Sequence, residues 1–293
     1  MDRPARKRRF GDRREGRRLR SLDPLYAFTP FIMKTRGDAS NYFSSSVDME
    51  TIEKYIRKKR DEGLKGFGML HIFIAGYLRC VSQYPGVNRF VAGKRIYARN
   101  NVEIIMTVKK RMSSMAAETE FKVIFDPSDT INTVYERVTE EIEKIKSQED
   151  TSTDKAAAAL GKLPRPILSA AIRLIEWIDY HGWLPKSLIN ASPFHGSMVI
   201  TDLGSLGIPP IYHHLYNFGT VPVFVAFGAK RKVTELDKNG NPVEKKYIDY
   251  TVSTDERICD GYYYAIAFKH FNYTLRNPEV LESPPEYVVE DVD

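Results

Sequence analysis

Hydrophobic positions change period several times along the chain, and each change marks an element. Tyr42-Phe43-Ser44-Ser45-Ser46-Val47 reads as a strand. Asp48 then caps a helix running to about Glu62, with Thr51 also available as a cap, and Gly63 stops it. Residues 69–82 are apolar on nearly every side, the pattern of a helix buried against several layers. His71 at its start reads as a core or cap residue rather than a ligand. The turn at Pro85-Gly86-Val87-Asn88 leads into short strands at 94–98 and 102–109. A further strand at 121–125 precedes a long charged helix from Thr130 to about Ser147. Near the C-terminus, Asp237-Lys238-Asn239-Gly240-Asn241 joins a hydrophobic strand from about residue 221 to the β-branched and aromatic run 247–254, and its central Asn-Gly is a strong hairpin signal. The period then turns helical after Gly261, with Tyr262, Tyr263, Ile266, Phe268 and Phe271, and stops near Arg276-Asn277-Pro278.

Residues 164–185 carry a wide apolar face with Arg173, Glu176 and Asp179 set into it, and both tryptophans, Trp177 and Trp183, lie here. A packed hairpin over the domain edge is expected, since the interspersed acids argue against an interfacial membrane helix. Composition, 42% hydrophobic and 28% charged over 293 residues, is that of a soluble globular chain with ample material for a core. The net charge of +6 is local: residues 1–20 hold ten basic and three acidic groups, leaving 34 basic against 35 acidic for the rest. Residues 1–16 lack an apolar period and are expected to form a disordered basic tail. Such an arm can hold nucleic acid or an anionic surface, but without aromatic interleaving it reads as solvated or packed on a neighbouring subunit. Residues 284–293 form an acidic tail, expected to be loose. Cys80 and Cys259 lie apart, without a histidine or second cysteine at ligand spacing, so reduced interior thiols are expected and no metal site. No signal peptide is visible and no apolar run reaches a membrane span, which makes a cytoplasmic location the economical expectation.

Asp255-Glu256-Arg257-Ile258-Cys259-Asp260-Gly261 sits at the strand-to-helix corner. It resembles the Asp-His-Arg-x-x-Asp-Gly signature of 2-oxo-acid dehydrogenase acyltransferases, related to the chloramphenicol acetyltransferases. Four of five fixed positions match, and Glu256 stands where that family has its catalytic histidine. A second block, Thr201-Asp202-Leu203-Gly204, resembles the strand and turn whose hydroxyl donates to the oxyanion. The order of strand, amphipathic helix, apolar helix, turn and strand pair also agrees, so the resemblance covers most of residues 17–283, with 164–185 as an addition. It implies an α/β fold, a mixed sheet with helices packed mainly on one face, in a homotrimer whose active sites lie in channels between neighbours.

The same resemblance implies transfer of an acyl group from a coenzyme A thioester to a small hydroxyl, amine or thiol acceptor. Thr201 would serve the oxyanion, Glu256 would be an altered base, and Asp260 a structural carboxylate. In the family an arginine from the N-terminal segment pairs with the signature aspartate, and Arg18 or Arg20 is the candidate here, with Arg257 and Gly261 supporting the site. A glutamate, with a free pKa of about 4.3, is a weaker base than histidine. His195, His213 or His214 is therefore a candidate to face substrate and supply a base from elsewhere in the chain. A trimer that has lost turnover and keeps its channel for binding is the alternative. Asp154-Lys155-Ala156 matches the tripeptide that carries lipoate in lipoyl domains, but an alanine-rich helical run follows, so no lipoyl attachment is expected.

Overall fold

The computed structural model describes residues 7–109, 118–147 and 161–293. Asp154-Lys155-Ala156 lies outside them. The nine strands are β1 (Gly16–Arg18), β2 (Ser40–Asp48), β3 (Arg89–Ala92), β4 (Arg95–Arg99), β5 (Val102–Lys109), β6 (Glu118–Phe125), β7 (Met198–Asp202), β8 (Val223–Leu236) and β9 (Pro242–Asp255) among the described residues. The helices are α1 (Pro24–Ile32), α2 (Met49–Asp61), α3 (Met69–Gln83), α4 (Ile131–Ser147), α5 (Arg165–Tyr180), α6 (Lys186–Ala191) and α7 (Gly261–Arg276).

Six strands form one sheet in the order β2-β9-β8-β7-β5-β6, and β1-β4-β3 form a smaller one. The large sheet is mixed: β7 runs parallel to both β5 and β8, while the other pairs are antiparallel. Alternation divides its side chains between two faces. Met198 and Ile200 of β7, with Val225 and Phe227 of β8, enter the main core beneath α2, α3, α4 and α7. Val199 and Phe224 point the other way, into a smaller cluster with Ile105, Leu215 and Val221. The long connection from β7 to β8 covers that second face. Its only helical turn is the short one at Gly204–Leu206, so its surface is shaped by irregular backbone.

Local chemistry explains the elements that position the site. The Asp48 carboxylate accepts from Glu50 N–H at 2.9 Å and starts α2, and Gly63, at φ +103°, ends the run. The α3 helix has buried residues on all sides, from Ile72 and Phe73 to Val81. Asp260 caps α7 and accepts from Tyr263 N–H at 2.6 Å.

Both termini depart from expectation. Residues 7–10 are exposed, but from Gly11 the basic arm packs: Arg13 is 3% exposed, ion-paired with Glu15 at 2.6 Å and with Asp179 of α5. Arg9 reaches Asp293 at 2.8 Å, and the Arg20 and Ser21 amides donate to the Asp293 carbonyl. The acidic end is equally tied, with Asp291 bound to Arg89 and Val289 N–H donating to Ser82 O at 2.8 Å. An arm and a tail of opposite charge, each without an apolar period, hold one another down through ion pairs rather than burial of hydrocarbon. The segment expected as a hairpin at 164–185 is the single helix α5 followed by a turn at Gly182, φ +75°.

Candidate functional site

The signature corner is built around Asp255, at the end of β9 and fully buried. Arg257 grips it with two parallel bonds, Nε to Oδ1 at 2.8 Å and Nη2 to Oδ2 at 2.7 Å. Arg36 adds a second cation 3.3 Å from Oδ2, too oblique for a hydrogen bond. Burial pushes Arg36 down to about 10, against the pull of Asp255, so it stays charged at neutral pH. The remaining side-chain bonds of the two arginines run to carbonyls of Met33, Tyr216, Asn217 and Val91. The corner therefore pins the chain after α1 and the connection before β8 to the end of the sheet.

The other signature residues have simpler places. The buried carboxylate-arginine pair expected at Asp260 belongs to Asp255. Asp260 is exposed, receives the Tyr26 hydroxyl at 2.5 Å, and is held below the usual carboxylate range by that bond and by Tyr263 N–H. Arg18 and Arg20 do not reach it. The Arg18 amide and the Arg20 guanidinium both bond Asp12 inside the N-terminal arm. Gly261 has open space where a Cβ would stand, so nothing within this chain requires glycine there. Glu256 is exposed, and its amide donates to Ala39 O at 2.8 Å. A cleft of about 290 Å³ beside the corner is bordered by Arg36, Arg257, Lys34, Lys94 and Glu176, and Glu256 is outside it.

Thr201 lies elsewhere. It opposes Ala226 on β8, which opposes Thr251 on β9. Glu256 is five residues beyond Thr251 and two strands across, which separates the two roughly by 20 Å at ordinary strand spacings. Thr201 points to the second face, into a cleft of about 400 Å³ lined also by Thr107, Glu120, His213, Tyr216 and Phe224. Asp202, next along the strand, points to the helical face and borders a cleft of about 640 Å³. That larger cleft holds Arg57, Arg60, His71 and Lys230. Asp202 and Ser205 line both clefts, so the two meet around the C-terminal end of β7. The turn is tight: a Cβ on Gly204 would stand 2.7 Å from Gly228 O, and Gly207 has φ +75°. Burial raises the Asp202 carboxyl, opposed by the amides of Ser205 and Gly204.

The three candidate histidines separate. His213 borders the Thr201 cleft, stacked on Phe224 with ring centres 4.0 Å apart, and its Nε2 is buried without a partner. Burial, and then the nearby His214, lower its pKa, which leaves the ring neutral at neutral pH. His214 is exposed and packs edge-on to Tyr216. His195 is fully buried, with Nδ1 2.8 Å from Ser192 Oγ and Nε2 3.4 Å from Asp179, in the ion network of Arg13. It joins α5 to the body and is not in the cleft. No strand carries Tyr212-His213-His214, so the alternation that would have placed the histidines does not apply.

Sequence reasoning missed the basic cleft. Arg57 and Arg60 are exposed and donate to backbone carbonyls, Glu53 O at 3.3 Å and Phe67 O at 2.8 Å. Lys230 pairs with Glu53 at 2.6 Å. His71 accepts from Gly68 N–H through Nδ1 and is pushed down to about 4 by burial, with a smaller contribution from Arg60. The i, i+3 spacing of Arg57 and Arg60 puts both on one side of α2, a signal present in the sequence. Among the described residues no group of His, Cys, Asp and Glu is arranged to hold a metal ion.

This architecture is the chloramphenicol acetyltransferase-like fold. A dihydrolipoamide acetyltransferase from Azotobacter vinelandii superposes with a TM-score of 0.55 at 12% identity, covering 89% of this chain and 93% of that one. A probable dihydrolipoamide acetyltransferase from Listeria monocytogenes gives 0.54 at 12% identity, over 88% and 94%. A chloramphenicol acetyltransferase gives 0.51 at 10% identity, over 87% and 96%. No family model matches the sequence, and no curated protein matches it.

Proposed function

We propose that the chain is an acyltransferase that takes a coenzyme A thioester as donor substrate, using the two clefts that meet around β7. The junction at Asp202 and Ser205 carries this reading. On the helical face, Arg57 and Arg60, whose existing bonds are to backbone, offer two guanidiniums to phosphates, while Lys230 beside them is paired with Glu53 of the same cleft. On the other face the Thr201 hydroxyl, which lines the second cleft, donates in this reading to a carbonyl oxygen as it gains charge. His213, neutral and lining the same cleft with an unpartnered Nε2, takes the proton from an attacking hydroxyl, amine or thiol in this reading. That proton then passes to the departing thiolate.

Glu256 is too far from Thr201 within one chain to share this work. In a homotrimer the corner of one subunit can face the cleft of the next, and there Glu256 would position an acceptor. A second reading, a trimer that binds without turnover, is favoured by the exposure of Glu256 at the position of the family's base. Release of free CoA thiol from short acyl donors decides between the two. Turnover that Thr201→Ala and His213→Ala each reduce supports the enzyme. CoA binding by calorimetry that Arg57→Ala weakens, with no thiol release from any donor, supports the binding trimer. Absence of both removes the shared-cleft model.

A further inference from the structure

Helix α5 is apolar on two sides, and the fold uses one. Leu168, Ile172, Ile175 and Ile178 are half-buried toward the body. Ile167, Leu174, Trp177 and Tyr180, with Trp183 after the turn, are between 48% and 60% exposed. Trp177 and Trp183 meet edge-on at 5.4 Å, and His181 lies 4.6 Å and 4.9 Å from their rings. The surface continues to α1. Gly93 packs so closely on the Tyr180 carbonyl that a Cβ would stand 2.4 Å from it, and Lys94 Nζ lies 5.2 Å over the Phe31 ring. Phe28, Phe31 and Ile32 are exposed there.

The acidic residues that weigh against a membrane in the sequence do not face outward together. Asp179 is buried against Arg13 and His195, which leaves Glu176 as the exposed acid of α5. Lys162, Arg165, Arg173 and Lys186 are all exposed on the same segment. We propose that this face docks on an anionic lipid bilayer, with α5 lying in the plane of the interface. Apolar side chains, aromatic rings with polar tips and flanking cations are what such a surface binds. At 16 residues the helix does not cross: no described helix is long and apolar enough to span a membrane. A second copy seated on the same patch would bring these cations against their equivalents, an unfavourable match.

The only two tryptophans of the chain lie in this face, so their emission reports on it directly. The full chain is mixed with vesicles of phosphatidylcholine containing phosphatidylglycerol, or of phosphatidylcholine alone, with brominated lipid as quencher. Blue-shifted, quenched emission on the anionic vesicles is expected. Arg165→Gln with Arg173→Gln should weaken partitioning by about thirtyfold. Ile167→Gln with Leu174→Gln should abolish quenching while circular dichroism stays unchanged. No quenching on anionic vesicles overturns the proposal, as does equal quenching on neutral ones. A blue shift that grows with protein concentration without lipid also overturns it, by giving the face to a second copy.

Discussion

The signature corner and the end of β7 both resemble motifs of the same enzymes, yet they hold their residues in opposite ways. At the corner every matched charge is consumed: Asp255 by Arg257 and Arg36, Asp260 by Tyr26 and the first turn of α7. The one mismatched residue, Glu256, points to solvent. At β7 the matched residue, Thr201, faces a cleft with a neutral histidine, and the tight turn after it opens onto a basic cleft. The matched residues of the corner therefore serve to close the sheet. The corner resembles the acyltransferases in sequence and is spent on structure, whereas the strand end keeps its matched hydroxyl on the wall of a cleft.

The sharpest way to break that comparison is to remove Asp255. Asp255→Ala leaves two buried arginines without their carboxylate, which costs about 3–5 kcal/mol. The expected result is a large fall in melting temperature, lost cooperativity, or no soluble protein. A melting curve like the parent's would mean that the corner is not what ties the chain after α1 to the sheet. Thr201→Ala tests the other region with the opposite signature. It should leave the melting temperature unchanged and lower kcat by about a hundredfold, as loss of an oxyanion donor does. Equal activity would remove Thr201 from the chemistry.

His213 sharpens the contrast through pH. Its pKa is lowered by burial first and by His214 second, so the neutral base survives below the ordinary histidine range. The rate should be flat across neutral pH and fall only on the acid side of about 6.5, the free value. His213→Ala should remove that limb and lower the rate by about a hundredfold. A limb that persists in His213→Ala belongs to another group and excludes His213 as the base.

Much of the fold was legible because it rests on periodicity. The all-round apolarity of α3 and the helical period of α7 reflect burial of hydrocarbon, and the Asn-Gly hairpin reflects local backbone preference, all of which a single sequence displays. What failed rests on charge pairing across long separations. Nothing near Arg13 in sequence shows that Asp179 neutralises it, nor does Asp293 mark itself as a partner for Arg9. A basic arm and an acidic tail look solvated when read alone. Thr201 stands out in the sequence because its flanking Asp-Leu-Gly is distinctive, whereas nothing in the sequence separates His213 from the other candidate histidines, and the structure puts both residues on one cleft. The separation of His213 from His195 and His214 depends on irregular backbone, for which sequence has no period. Asp255 was matched as a signature residue, but its burial between two arginines, one of them 219 residues away, had no local signal.

Asp260 gives the smallest effect and isolates what its motif position means. The family resemblance made it the partner of a buried arginine, which would put its removal on the scale of Asp255. The structure makes it a helix cap: it is exposed, accepts from Tyr263 N–H, and adds one bond from Tyr26. Loss of such a cap costs about 1 kcal/mol. Both of those bonds favour the charged carboxylate, so its pKa is lower folded than unfolded. Its contribution is therefore present above the unfolded value and is lost as pH falls through the lowered one. Asp260→Ala should lower stability slightly at neutral pH and converge with the parent below the carboxylate range. Asp260→Ser, which restores a capping oxygen without charge, should recover most of the loss. Denaturant melts of the three proteins measure this. A loss in Asp260→Ala as large as in Asp255→Ala, unrelieved by serine, would return Asp260 to the buried-pair role and erase the distinction between a closing motif and a working one.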